Sequence, residues 1–248
     1  MNSNKLNFPF SLTPVAALVA GLTLALPGQA QQSDVTGSSL TLEEVVVSAR
    51  KITESLQDVP SAVSAVSADA MQSMMLTNVM EASKLAPSVM ISTDGSQRST
   101  TAIRGVGTTL QTNIQPGVGL FKDGVYVPYT SAFNDQLLDT AQVEIIRGPQ
   151  GTLYGRNTTG GAISVIMKKP SDTMQGYVEA GAGNWGKTMV RGSIDVPLSD
   201  TVLTKFSAYY VDTDGYLENR TDGKDYNEAD LTGFRAAVRW LISASMTW

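Results

Sequence analysis

One segment constrains the fold of this chain more than any other. It runs from Val143 to Ile166 and reads VEIIRGPQGTLYGRNTTGGAISVI. The apolar run Val143 to Ile146 predicts a buried strand, and Arg147-Gly148-Pro149 ends that strand abruptly. Further glycines follow at short intervals before Ala162 to Met167 resumes the strand pattern. Because glycine adopts positive φ and lets a backbone pack closely against its neighbour, the segment predicts a strand, a tight turn and a second strand.

The sequence of this turn resembles a known family. Residues 147–155 read RGPQGTLYG, which is similar to the end of the plug domain of TonB-dependent outer-membrane receptors. Ile103-Arg104-Gly105 is similar to another part of that plug. The resemblance implies an α+β plug domain followed by the first antiparallel strands of a transmembrane β-barrel, which has about 22 strands in plugged outer-membrane transporters. Taken alone, the segment would also suit a glycine-rich strand–turn–strand of any β protein.

Composition excludes several classes of function. The chain has 248 residues, 42% of them hydrophobic, with no cysteine and no histidine. Serine–histidine and cysteine–histidine catalysis are therefore impossible within it, and so is a thiolate metal site. A formal net charge of −5 and a pI near 4.8 argue against a nucleic-acid binder. We expect a chain that is not an enzyme and has no cofactor; under the resemblance, iron enters only as part of a transported chelate.

Residues 1–30 have the pattern of a secretory signal peptide. Lys5 is their only charge, an apolar run extends from Val15 to Leu26, and Gly28-Gln29-Ala30 provides small residues for cleavage. A buried core helix is the alternative, but Pro14 and Pro27 bracket the apolar run. Residues 31–51 are expected to be a flexible leader.

An extended segment within this leader occupies residues 42–49. It consists of Leu42, Glu43, Glu44, Val45, Val46, Val47, Ser48 and Ala49. Three consecutive valines in an exposed segment invite aggregation unless another strand pairs with them. Under the family resemblance the segment looks like a TonB box, which would pair by β-augmentation with a TonB-type periplasmic energising protein. The alternative is an ordinary first strand of the domain that follows.

Residues 52–170 are expected to form the plug. Ser67 is predicted to cap a helix that runs to Met75, and Thr77 to cap a second helix that runs to Leu85. Asp123-Gly124 predicts a hairpin turn. The strand predictions are Ala62 to Val66, Val89 to Ser92 and Thr101 to Val106, with a helical turn at Phe133 to Asp139. The small core is expected to contain methionines, namely Met71, Met74, Met75 and Met80.

From Gly176 onward the hydrophobic pattern changes to a period of two. In Lys187 to Val196, and again in Asp230 to Trp240, apolar side chains alternate with polar and charged ones. Segments of about ten residues with one apolar face are what a membrane β-barrel needs. A soluble β-sandwich has the same alternation, but the signal peptide and the plug resemblance favour the barrel. Residues 176–248 have room for four to five strands, and an open piece would leave unpaired edges in lipid. We therefore expect a piece of a longer receptor.

Gly181 to Thr188 matches the P-loop pattern G-x-x-x-x-G-K-[ST] literally. Phosphate binding by that motif requires a helix to begin where the motif ends. Met189 to Val196 instead alternates with a period of two and ends at Pro197, which predicts a strand. We therefore interpret Asn184-Trp185-Gly186 as a hairpin turn, and a nucleotide-binding enzyme is the alternative.

Candidate site residues follow from the resemblance. The ligand is expected on outward-facing loops of the plug, where polar side chains can hydrogen-bond an oxygen-rich compound: Gln97, Arg98, Gln111, Asn113 and Gln115. For each of them singly, an ordinary solvated loop residue is the alternative. Salt bridges between plug and barrel are expected from Arg104, Arg147 and Arg156. Carboxylates cluster around residues 212–230 but lack EF-hand spacing, so we interpret them as a solvated loop and expect no metal site.

The resemblance implies a TonB-dependent active transporter of the outer membrane that binds and imports a scarce nutrient. A ferric siderophore is the expected substrate, and cobalamin or an oligosaccharide is the alternative. The expected partners are the energising protein, the small-molecule ligand and outer-membrane lipid, without nucleic acid. A truncated secreted binding or adhesion protein without transport is the competing hypothesis.

Overall fold

The computed structural model describes residues 46–48, 52, 54–93, 99–108, 116–215, 217–220, 225–226, 228–243 and 246–247. The expected signal peptide at residues 1–30 and residues 31–45 of the leader lie outside this described part. Within it, no helix combines the length and apolar character needed to cross a membrane. The described residues comprise a mixed α and β region up to residue 170 and an antiparallel region after it.

The helices of the mixed region are short: α1 (Ala68–Ser73), α2 (Val79–Ser83), a 3-10 helix (Thr130–Asn134) and α3 (Gly151–Tyr154). Its strands are β1 (Val46–Val47), β2 (Glu54–Ser55), β3 (Ala62–Ser67), β4 (Val89–Thr93), β5 (Ser99–Ile103), β6 (Val106–Thr108), β7 (Val118–Lys122), β8 (Val125–Val127), β9 (Thr140–Arg147) and β10 (Gly161–Met167). The antiparallel region contains β11 (Gln175–Ala182), β12 (Thr188–Pro197), β13 (Val202–Thr213), β14 (Leu217–Glu218), β15 (Asp225–Tyr226), β16 (Ala229–Ser243) and β17 (Met246–Thr247).

A five-stranded sheet, in the order β3-β9-β10-β7-β8, forms the centre of the region that the sequence predicts to be a plug, and this region is called the plug from here on. β10 runs antiparallel to β9 and parallel to β7. β9 and β10 are the two strands predicted on either side of the glycine-rich turn, so that prediction is confirmed. The connection between them also contains helix α3, which the sequence pattern did not predict.

Two adjacent glycines let β10 approach its neighbours closely. A Cβ on Gly160 would collide with the carbonyl oxygen of Val106, and a Cβ on Gly161 would collide with the carbonyl oxygen of Ile146. Any side chain at either position would therefore push β10 away from the strands beside it.

Both faces of the central sheet are buried. Val143 and Ile145 point to the face that the helices cover. Ile146 points to the opposite face and packs there with Val47. Because side chains alternate along a strand, Glu144 shares this second face with Ile146. The second face of the sheet is thus where the N-terminal strand lies.

The predicted helix boundaries need correction. Ser67 caps α1 as predicted, but the helix ends before Met75, which adopts a φ of 53°. The cap of α2 is Asn78 rather than Thr77, because the Asn78 side chain accepts a 2.8 Å hydrogen bond from the Glu81 amide. Thr77 instead donates its amide and hydroxyl to the Glu81 carboxylate.

Two further local predictions were wrong. The single strand predicted at Thr101 to Val106 is a hairpin of β5 and β6, which turns at Arg104-Gly105 with φ values of 53° and 78°. The helical turn predicted at Phe133 to Asp139 lies earlier, as the 3-10 helix at Thr130–Asn134. The Asp123-Gly124 hairpin between β7 and β8 is confirmed.

The antiparallel region forms a second five-stranded sheet, in the order β11-β12-β13-β16-β17. Its outer face is apolar and exposed; Val190 is 43% exposed and Phe234 is 88% exposed. The opposite face is polar, and Ser193, Asp195 and Lys205 are buried there. The period of two predicted for Lys187 to Val196 and for Asp230 to Trp240 is therefore confirmed in β12 and β16.

The P-loop match forms a hairpin rather than a phosphate-binding loop. Trp185 and Gly186 have φ values of 54° and 63°, and the Gly183 amide donates a 2.8 Å hydrogen bond to the Lys187 carbonyl. β12 begins at Thr188, so the segment leads into a strand as predicted. The helix that phosphate binding requires is therefore absent from this position.

Candidate functional site

The N-terminal segment, residues 46–48, lies against the second face of the central sheet. Its strand β1 pairs antiparallel with β2. Val47 is 1% exposed and packs with Phe121 and Ile146, whereas Val46 is 42% exposed. The segment predicted as a partner-binding strand is therefore docked on the plug through one of its valines.

Two side chains of β9 bind the backbone of this segment. Gln142 Nε2 donates a 3.1 Å hydrogen bond to the Val46 carbonyl oxygen. Glu144 Oε1 accepts a 2.6 Å hydrogen bond from the Ser48 amide and a 3.1 Å bond from Gln142 Nε2. β9 therefore contacts the N-terminal segment with polar groups as well as through the apolar packing of Val47.

The Glu144 carboxyl is completely buried. Burial raises its pKa above the ordinary value, and the hydrogen bond from the Ser48 amide opposes that rise. The nearby Tyr154 has its pKa raised to about 12, first by burial and then by the charge of Glu144. Glu144 Oε2 has no hydrogen-bond partner within the described residues, so the carboxyl is only half satisfied where it holds the segment.

A buried cluster of charges joins the plug to the second sheet. We call it the junction cluster: Asp139, Asp195, Lys205, Ser207 and Arg235. Lys205 Nζ on β13 lies 3.4 Å from Asp139 Oδ1 and 3.1 Å from Asp195 Oδ2. Asp139, which directly precedes β9, is 3% exposed, Asp195 is 2% exposed and Lys205 is 4% exposed. One lysine is therefore shared by a plug carboxylate and a carboxylate of the second sheet.

Arg235 on β16 extends the junction cluster. Its Nη1 lies 3.3 Å from Asp139 Oδ2 and donates a 3.3 Å hydrogen bond to the Lys168 carbonyl oxygen. Ser207 Oγ donates a 3.1 Å hydrogen bond to Asp139 Oδ2. Burial raises the pKa of Asp139, and the nearby Lys205, Ser207 and Arg235 groups oppose that rise. Asp139 is thus the point at which three side chains of the second sheet hold the plug.

The linker between plug and second sheet is held at the same place. Asp195 Oδ1 accepts a 3.0 Å hydrogen bond from the Ser171 amide, and Asp195 Oδ2 accepts a 3.4 Å bond from Gln175 Nε2. A cavity of about 340 Å³ lies nearby and is lined by Asp139, Lys168 and residues of α1 and β11. The polar face of the second sheet is therefore bonded to the plug beside an open, polar gap.

The three arginines predicted to hold the plug occupy different positions. Arg147 donates hydrogen bonds of 3.4 Å each to the carbonyl oxygens of Ala62 and Pro87, which are both plug residues. Arg104 is exposed in the β5–β6 turn, and Arg156 is exposed after α3. Within the described residues none of the three forms an ion pair with the second sheet. Their proposed role in holding the plug stays a prediction.

The predicted ligand-binding residues lie outside the described part of the chain: Gln97, Arg98, Gln111, Asn113 and Gln115. Leu42, Glu43, Glu44, Val45 and Ala49 of the predicted partner-binding segment also lie outside it. In the described part, no group of three or more acidic residues is arranged to hold a metal ion.

Sequence reasoning missed the junction cluster. Its signal was present in the polar face of the period-two strands, where Asp195, Lys205 and Arg235 occupy inward positions. Charged residues on the buried face of a sheet are retained only when they are paired. Their common partner, Asp139, has no sequence pattern of its own.

Comparison with known proteins agrees with this architecture. Residues 55–162 match the family described as TonB-dependent Receptor Plug Domain. The chain is 33% identical over 231 residues to the pesticin receptor of Yersinia pestis, covering 92% of this chain and 32% of that protein. It is 26% identical over 214 residues to the ferric-pyoverdine 358 receptor of Pseudomonas putida, covering 83% of this chain and 25% of that protein.

The chain belongs to the TonB-dependent receptor family. The crystal structure of the ferric yersiniabactin uptake receptor FyuA from Yersinia pestis matches with a TM-score of 0.68 at 27% identity, covering 73% of this chain and 29% of that one. The family consists of outer-membrane receptors rather than enzymes, so this chain is assigned to the outer membrane. The mixed region is the plug, and the second sheet corresponds to part of the β-barrel wall of the receptor. The chain spans about a third of the length of the curated relatives it matches first.

Proposed function

We propose that this TonB-dependent receptor imports a ferric siderophore across the outer membrane, driven by a TonB-type partner in the periplasm. The observation that carries the proposal is the docked N-terminal segment. Its strand β1, Val46–Val47, pairs with β2 and lies on the plug without belonging to the central sheet. A strand attached in this way can leave the plug and pair with a partner sheet without destroying the plug fold.

The junction cluster supports transport rather than simple binding. Asp139 connects the plug to Lys205 and Arg235 on the inner, polar face of the second sheet, whose outer face is apolar. A plug bound to the wall by side chains can shift when a partner pulls on its N-terminal strand. Binding of the ligand must favour one state of the plug, since a ligand with equal affinity for both states shifts nothing.

Relatives guide the proposed substrate. Those whose names specify a ligand include the ferric-pyoverdine 358 receptor and the ferric yersiniabactin uptake receptor, so a ferric siderophore is the substrate we propose. Cobalamin and an oligosaccharide are the alternatives, and a binding protein without transport is the alternative of another class. Each alternative is distinguished by the same experiment.

The experiment measures binding and uptake separately in cells that carry the protein in their outer membrane. The probes are ⁵⁵Fe-loaded yersiniabactin, ⁵⁵Fe-loaded pyoverdine, radiolabelled cobalamin and a radiolabelled oligosaccharide. Val46→Pro should abolish uptake and preserve binding, because proline removes the backbone N–H that a pairing strand needs. Val46→Ala is the matched control, and it should retain both activities.

Uptake that persists in Val46→Pro would contradict the strand-pairing mechanism. Binding of a ⁵⁵Fe probe without uptake in the unmodified protein would indicate a binding protein. Uptake of cobalamin or the oligosaccharide in place of both iron chelates would replace the proposed substrate.

A further inference from the structure

We propose that Gln142 and Glu144 form a clasp that closes the N-terminal segment to its strand-pairing partner until the clasp opens. This inference rests on the proposed function, since it concerns how that partner gains access. The clasp consists of the two side chains of β9 that hydrogen-bond the backbone of Val46 and Ser48. Gln142 and Glu144 are thus positioning residues for the first step of energy coupling, in which the partner pairs with the N-terminal segment.

The clasp and β2 occupy opposite edges of the segment. In an extended strand the backbone groups of alternate residues point to opposite sides. The Val46 carbonyl and the Ser48 amide both point toward β9, where Gln142 and Glu144 bind them. The backbone of Val47 therefore points the other way, toward β2, with which it is paired.

A partner strand needs one free edge, and residues 46–48 offer none in this state. β-Augmentation forms a ladder of N–H and C=O groups along a single edge of the added strand. On the β2 side that edge is already used by a strand, and on the β9 side it is used by side chains. Side chains are replaced more easily than a strand, so the β9 side is the edge that must open.

The clasp is also coupled to the glycine-rich turn. Gln142 and Glu144 lie on β9, which ends at Arg147 immediately before Gly148. Glu144 pairs with Ser164 across the β9–β10 ladder, so the strands on both sides of the turn share one register at the clasp. A shift of β9 would move both hydrogen-bonding groups together and release the segment as a unit.

Chemical labelling can measure the opening of the clasp directly. The chain has no native cysteine, so a single Val47→Cys substitution provides a unique thiol. Cysteine behaves as a small apolar residue and is commonly buried, so it suits the buried position of Val47. Labelling by a small maleimide is followed in outer-membrane fragments, where both sides are accessible. Val46→Cys, at a position that is 42% exposed, controls for access of the reagent.

The clasp is then weakened in the Val47→Cys background. Gln142→Ala removes one neutral hydrogen bond to the segment, together with the bond from Gln142 to Glu144, and should speed labelling about fivefold. Glu144→Ala removes the bond between its carboxylate and the Ser48 amide and should speed labelling roughly 10-fold to 100-fold. Glu144→Gln retains an oxygen acceptor and should lie between the parent and Glu144→Ala. Gln142 is only half-buried, so its variant tests the clasp even if the Glu144 variants do not fold.

Ile145→Val is the matched control for general loosening of β9. Ile145 points to the opposite face of the sheet and belongs to the core cluster on that face, whereas Val47 belongs to the cluster on the other face. Ile145→Val should leave unchanged the labelling rate of Val47→Cys, measured relative to the labelling rate of Val46→Cys. Labelling that Gln142→Ala and Glu144→Ala do not speed, or that Ile145→Val speeds equally, would overturn the clasp.

Binding of the isolated periplasmic domain of a TonB-type protein distinguishes the clasp from the proposed function. In the receptor without the cysteine substitution, Gln142→Ala should tighten that binding by a factor similar to its effect on labelling. Faster labelling together with no binding of the domain to any variant would contradict the proposed function. The clasp could then not control access of such a partner. Unchanged labelling with normal domain binding would contradict the clasp alone.

Discussion

Replacing Lys205 with methionine removes the cation that Asp139 and Asp195 share at the junction cluster. Removing one partner of a buried ion pair destabilises a protein by about 3–5 kcal/mol, because the remaining charge is left uncompensated. Here Asp139 keeps its bonds to Ser207 and Arg235, and Asp195 keeps its bond to the linker. We therefore expect the lower value, about 3 kcal/mol, which corresponds to a change of roughly 150-fold in an equilibrium constant.

The loss should appear as detachment of the plug and should depend on pH. Burial already raises the pKa of Asp139, and removing Lys205 removes a charge that opposes that rise. A carboxyl whose pKa is raised by folding destabilises the folded form when it is ionised. The destabilisation of Lys205→Met is thus greatest above the raised pKa and becomes smaller as the pH falls through it.

Hydrogen–deuterium exchange of the β9 peptide, measured in outer-membrane preparations at pH 5 and pH 8, follows the detachment. Arg191→Met is the matched control, since Arg191 pairs at 2.9 Å with Glu179 inside the second sheet and its side chain is 15% exposed. Loss of the Arg191–Glu179 pair should change the free energy of opening of the β9 amides by less than about 1 kcal/mol. Equal exchange of β9 in the two variants would show that Lys205 does not hold the plug. Faster exchange of β9 in Lys205→Met at pH 5 than at pH 8, after correction for intrinsic rates, would contradict the expected pH dependence.

Three other predictions concern local features of the structure. Gly161→Ala should lower the amount of folded receptor in the outer membrane, because the added Cβ would meet the Ile146 carbonyl oxygen. Gly151→Ala, the control, places its Cβ in open space and should be neutral, so equal amounts of the two variants would contradict this packing. Lys187→Ala should leave uptake and ATP-analogue binding, measured by fluorescence, unchanged, since Lys187 is an exposed hairpin residue. Loss of nucleotide binding in this variant would contradict the hairpin interpretation. Asn78→Ala should destabilise α2 by about 1 kcal/mol and speed exchange of its amides; unchanged exchange would mean that the cap contributes nothing.

The sequence predicted the parts of the fold that depend on local patterns. The glycine-rich turn between β9 and β10 and the period-two strands follow from residue spacing alone, because a turn needs positive φ and a half-buried strand needs alternation. Met71 is buried as expected, but Met75 is 81% exposed, because the helix ends before it. The Arg104-Gly105 turn was missed because arginine is not a residue that favours positive φ.

The site was less predictable because its contacts join residues far apart in the chain. Glu144 and Ser48 are separated by 96 positions, and so are Asp139 and Arg235. No local pattern marks such pairs; they depend on which face of β9 is turned toward the N-terminal segment and on the register of the second sheet. The valine segment was recognisable from sequence, and a first strand of the following domain was one of its two interpretations, but the residues that bind it on the plug were not predictable.

Cross-linking in living cells tests most directly whether the docked segment, residues 46–48, is captured by a TonB-type partner. A photoreactive amino acid replaces Val46, the more exposed valine of the segment, in cells that have the energising partner. We expect a cross-link to that partner, with a yield that rises when the transported iron chelate is added. In Gln142→Ala the yield should rise without the chelate. A cross-link that stays within the receptor under all these conditions, in cells that still take up the chelate, would contradict capture of the segment by that partner.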